Sequence, residues 1–154
     1  RTDARIDEPL RVLIVEDEVL LAINLESHLE ALGQEIVGLA GDATQALALA
    51  DVEHPDLALV DITFDGRTGF VISSKLGAGH DTTVVLVTGS PEQIPAGYAG
   101  AIGALTKPWR PEALEQLVMF VRALRVPGRN ASLPAPPASM RLAPHLQSDL
   151  APRR

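Results

Sequence analysis

The residues able to do chemistry in this chain are few and regularly placed. VLIVEDE (12–18) runs an apolar stretch straight into Glu16 and Asp17. LALVD (57–61) ends on Asp61, VLVTGS (85–90) carries Thr88, and LTKPW (105–109) carries Lys107. Like charges gathered at the ends of buried strands repel one another unless a cation neutralises them or their pKa values rise. Only oxygen ligands are on offer, so the cation should be hard, and Mg²⁺ fits best because it accepts one or two carboxylates and fills its shell with water and phosphate oxygens. Mg²⁺ beside a carboxylate, a hydroxyl and an ammonium is the equipment of phosphoryl transfer. A carboxylate can attack phosphorus and become an acyl phosphate.

These residues meet only if the chain folds so as to bring them together. The pattern predicts strands at 11–15, 35–40, 57–61, 82–88 and 102–106. Helices are predicted at about 18–32, 43–50 and 69–79, with a last one beginning at Pro111, where proline suits a first helical turn. Strand and helix alternate, which implies βαβ units, a five-stranded parallel sheet and helices on both faces. The apolar, non-alternating strands agree with burial on both sides. In open sheets of this kind ligands bind beyond the carboxyl ends of the strands. That edge is where Glu16, Asp17, Asp61, Thr88 and Lys107 fall.

In this order and spacing, VLIVEDE, LALVDI, VLVTGS and LTKPW resemble the receiver domain of two-component response regulators over about residues 10–126. The resemblance implies a flavodoxin-like (βα)₅ fold of strand order 2-1-3-4-5. It implies Asp61 as phospho-acceptor, with Asp17, Asp61 and the backbone carbonyl of Thr63 ligating Mg²⁺ and Glu16 acting through water. Thr88 and Lys107 would contact the phosphoryl group, and Pro108 would follow a cis peptide. The phosphate would come from a histidine kinase or a histidine phosphotransfer protein, and the place of work would be cytoplasmic. Two departures stand out. Ala104 occupies the position three before Lys107 where the family usually has an aromatic residue. Pro95, Gly97 and Gly100 lie in the segment that should form the fourth helix, so a short or irregular element is expected there. Both features, with VTGS, are similar to the atypical single-domain receivers of alphaproteobacteria. Signalling would then proceed by ordering of residues 89–101, or the chain would act as a phosphate sink.

The rest of the 154 residues sets limits. There are no cysteines, which removes disulfides, thiol nucleophiles and thiolate metal sites. A net charge of −7 argues against general nucleic-acid binding. No apolar stretch approaches the roughly 20 residues of a membrane span, and no signal peptide is evident. Residues 1–9 form a polar extension. From 127 onward come six prolines and four arginines against one aspartate, so the tail carries +3 and the remainder −10. Such a tail is expected to be disordered, with only Met140-Arg-Leu apolar enough to dock. The four histidines show no metal-ligand spacing. Thr63 and Ser90 are expected to border the site, and Asp65–Gly69 to form a loop over it. Trp109, Met119, Phe120 and Ala123 lie off the main apolar stripe of the last helix. They are expected either to pack or to present a patch for a partner or a second copy. The first starting residue is not Met, so a receiver cut from a hybrid kinase is an alternative. So are a phosphate-independent receiver-like binding module and a Mg²⁺-dependent phosphohydrolase, although the latter usually has a second Asp where this chain has Thr63.

Overall fold

The computed structural model describes residues 8–62, 68–126 and 133–150. Strands β1 (Arg11–Val15), β2 (Glu35–Ala40), β3 (Leu57–Asp61), β4 (Thr83–Thr88) and β5 (Gly103–Thr106) are parallel. They stand in the order 2-1-3-4-5, as the resemblance implied. Every residue of β3 is buried, because it lies mid-sheet with helices above and below. One face buries Val12, Ile14, Leu57, Leu59, Val85 and Leu105 under α1 (Val19–Ala31) and α4 (Pro111–Leu124). The other buries Leu13, Val15, Ala58, Val60, Val84 and Leu86 under α2 (Ala43–Glu53) and α3 (Thr68–Gly79).

Local chemistry sets the helix ends. Asp42 caps α2 by accepting from the Gln45 N–H at 2.8 Å, while Gln45 Oε1 accepts from the Gly41 N–H at 2.8 Å. That reciprocal pair satisfies donors that a helix start leaves open. At the other end of α2, His54 takes a left-handed conformation just before Pro55.

No regular helix joins β4 to β5. Two 3₁₀ turns, Pro91–Gln93 and Tyr98–Gly100, take its place, in line with the helix-breaking residues of that segment. Tyr98, Ala99 and Gly100 all have φ between 48° and 81°. L-residues in that region cost about 1–2 kcal/mol each relative to the right-handed form. The turn is held from outside: Ser73 Oγ donates to the Ala99 carbonyl at 2.8 Å and Ser74 Oγ to the same oxygen at 3.3 Å.

Two expectations need correction. The tail is not disordered over residues 133–150. Met140–Leu142 forms a sixth strand, β6, antiparallel to β5, and Pro144–Leu150 forms α5. The sheet is therefore six-stranded and mixed, in the order 2-1-3-4-5-6. Met140, Ala143 and Leu146 supply the buried anchor. Phe120 is likewise no part of a surface patch. It is fully buried, in the same cluster as Met140 and Leu146. The buried face of α4 takes in Ala113, Leu114, Leu117, Val118, Phe120 and Val121, wider than one stripe. Met119, half exposed, remains outside. Among the described residues, no helix is long and apolar enough to cross a membrane.

Candidate functional site

The carboxyl edge of the sheet gathers most of the residues named from the sequence. Asp61, at the end of the fully buried β3, is only 3% exposed. Lys107 Nζ donates to Asp61 Oδ2 at 2.8 Å. Register explains the meeting: β3, β4 and β5 run side by side, so Asp61, Thr88 and the residue after Thr106 end on one level. The Lys107 N–H donates to the Thr88 carbonyl at 2.7 Å, and the Lys107–Pro108 bond is cis, as the resemblance implied.

Glu16, at the end of β1, is 6% exposed and tied to the same group. Burial pushes its carboxyl from the ordinary 4.5 up to about 8, and a hydrogen bond shared with Asp61 pushes in the same direction. Two carboxyls in one dry place cannot both ionise cheaply without a cation. Glu16 Oε2 also accepts from the Glu18 N–H at 3.1 Å, which pulls the other way. Asp17 is exposed at the rim and within reach of Glu16. The Thr88 hydroxyl is fully buried and accepts from the Ser90 N–H at 2.8 Å, leaving its hydrogen to donate. Thr63, and the loop expected at 65–67, lie outside the described residues.

The donor set suits a hard cation: oxygen ligands only, with two buried carboxyls in contact. Among the described residues no group of three or more His, Cys, Asp or Glu side chains is arranged to hold a metal unaided. A hard ion of the Mg²⁺ kind takes one or two carboxylates and completes its shell with carbonyl, water and phosphate oxygens.

A cavity of about 160 Å³ opens beside these groups, between α1 and the β5–α4 turn. Glu16, Asp61 and Lys107 form its polar wall, and Leu25, Val87 and Trp109 its apolar one. Trp109 thus both packs on the core and lines the site. Sequence reasoning missed a group of exposed apolar residues on α1. Val19, Leu20 and Ile23 on α1 are exposed apolar residues just past the Glu16-Asp17 pair. They sit off the buried Leu25/Leu29 stripe, and that offset was the signal available. His28 lies on the cavity rim. A larger cleft of about 650 Å³ lies at the opposite edge of the sheet, where Arg125 is already engaged by Thr83, Asp56 and Asp81. It is remote from the acidic site.

Comparison with known proteins agrees with this geometry. Residues 12–119 match the family model of the response regulator receiver domain. The transcriptional regulatory protein PdtaR of Mycobacterium tuberculosis is 37% identical over 111 residues, 70% of this chain and 54% of that protein. The phyllosphere-induced regulator PhyR of Methylorubrum extorquens is 31% identical over 126 residues, 77% of this chain and 47% of that protein. The chain spans about half the length of these relatives. Among solved structures, the receiver domain of Erythrobacter litoralis PhyR superposes with a TM-score of 0.67 at 28% identity, covering 82% of this chain and 98% of that one. The match spans the five parallel strands, the acidic edge and the lysine turn together: the chain belongs to the response regulator receiver family, with its flavodoxin-like fold.

Proposed function

We propose that this receiver is a phospho-acceptor of a two-component phosphorelay, phosphorylated on Asp61 by a histidine kinase or a histidine phosphotransfer protein. The observation that carries the reading is the buried Asp61 carboxylate, bonded at 2.8 Å to Lys107 with the Glu16 carboxyl against it. Asp61 attacks the phosphorus of phosphohistidine. An O–P bond forms, the P–N bond breaks, and the imidazole nitrogen keeps the electron pair and takes up a proton. Lys107 meets the charge of the incoming phosphoryl oxygens, and the Thr88 hydroxyl donates to one of them. Glu16, Asp17, Asp61 and the Thr63 carbonyl would hold Mg²⁺, which when bound neutralises charge on the carboxylates and the phosphate. Val19, Leu20 and Ile23 offer the donor protein an apolar landing beside the site. The output is protein contact or phosphate drainage, and the 89–101 segment that follows Thr88 is the element that would order around phosphorylated Asp61.

The test is phosphorylation by acetyl phosphate with Mg²⁺, followed by intact mass, for wild type and Asp61→Asn. One added phosphoryl group, absent in the mutant, is the expected result. A folded protein that gains none would instead support a phosphate-independent binding module.

A further inference from the structure

Strand β5 is the weakest of the parallel set, and it carries the lysine. It has only four residues, starts on glycine, and without the tail would be an open edge. Short edge strands with one neighbour hold their ends poorly. Lys107 follows its last residue directly, so its ammonium is aimed by however well that end is fixed.

The tail fixes it. On the inner side the Lys107 N–H donates to the Thr88 carbonyl at 2.7 Å, and on the outer side the Thr106 N–H donates to the Ser139 carbonyl at 2.8 Å. At the other end of β5 the Ala143 N–H donates to the Ile102 carbonyl at 2.8 Å. The tail therefore brackets the strand at both ends. Gly103 is made for this approach: a Cβ there would overlap the Arg141 carbonyl oxygen and come within 2.9 Å of Met140 Cε. Ala143, with no exposed surface, and the nearly buried Met140 and Leu146 anchor the bracket in the core.

We infer that residues 139–143 are a positioning element for Lys107, holding the end of β5 so that the ammonium stays on Asp61. The inference rests on the phospho-acceptor reading of Asp61. The tail touches no reacting atom and acts through the lysine. A lysine side chain carries up to about 2 kcal/mol of rotamer entropy, and an ammonium that wanders adds to what must be ordered before phosphoryl transfer.

The experiment uses the full chain. Ala143→Asp puts a charge into a fully buried tail position, and Leu146→Ser is a milder second variant. Each is made with Lys107 intact and in a Lys107→Ala background, and the rate of phosphoryl gain on Asp61 from acetyl phosphate is measured. With Lys107 present, freeing the tail should slow the reaction about tenfold, as misplacement of a charge-bearing group does. In the Lys107→Ala background it should change the rate by less than about twofold, because the cycle removes the route of the effect. Equal losses in both backgrounds would mean general destabilisation and would overturn the inference. So would no loss, or a faster reaction. Amide hydrogen exchange separates this from the phospho-acceptor reading itself. If wild type takes no phosphate, that reading fails. Positioning is then judged by whether Ala143→Asp deprotects the Thr106 and Lys107 amides while β1 and β3 stay protected. Unchanged protection would refute it.

Discussion

Glu16 gives the sharpest thermodynamic prediction. Its carboxyl sits at about 8 in the fold against an ordinary 4.5, so the folded protein holds a proton that the unfolded chain has lost between those values. Stability falls with rising pH wherever the folded state binds more protons. The Glu16 contribution is therefore intact below about pH 4.5 and lost as pH climbs through about 8. The slope approaches 1.4 kcal/mol per pH unit, and the full window sets a ceiling of about 5 kcal/mol. Sharing of the proton with Asp61 and entry of water reduce this to roughly 2–5 kcal/mol. Glu16→Gln keeps the acceptor for the Glu18 N–H and removes the titration. In chelator-containing buffer, urea unfolding should find the two proteins similar near pH 5. Toward about pH 9 the variant should become the more stable by that amount. Parallel stability curves for wild type and Glu16→Gln would refute the claim that this carboxyl is held protonated by burial and by Asp61.

Other outcomes follow from the same coordinates. Mg²⁺ in excess of chelator should raise the wild-type melting temperature more at about pH 8.5 than at about pH 6, since only the ionised carboxyls favour the metal; an equal shift at both would count against the acidic pocket as its site. Phe120→Ala should cost about 3–5 kcal/mol in urea unfolding, whereas Met119→Ala should stay within about 0.5 kcal/mol; near-equal effects would restore the surface reading of Phe120. Gly100→Ala forces an L-residue to φ +81° and should cost about 1–2 kcal/mol, read by the same assay.

The five parallel strands were readable because each is a compact apolar run ending in turn or chemistry-bearing residues. The site was readable for a related reason: Glu16, Asp61, Thr88 and Lys107 each sit one step beyond such a run, and strand order alone brings them together. The irregular link before β5 followed from Pro95, Gly97 and Gly100. Sequence could not supply the left-handed geometry of Tyr98 and Ala99, which depends on Ser73 and Ser74 from another element. Strand β6 escaped for a different reason. Three residues show no periodicity, and the tail's prolines and arginines read as a segment with little to bury. What orders it is the space above Gly103 and the open margin of β5, features of the assembled sheet. Phe120 was misplaced because the buried face of α4 spans Val118, Phe120 and Val121 together, wider than the single stripe that spacing suggests.

The sixth strand also moves the natural seam of this module. The match to the family model ends at residue 119, yet the hydrogen-bonded sheet runs on to Ala143 and its packing to Leu146. A graft or fusion joined at residue 126 would strip β6 from β5 and make β5 the sheet margin opposite β2. Such a product invites edge-to-edge self-association. Anyone recombining this receiver with another output should carry the polypeptide through residue 150 and place the joint beyond it.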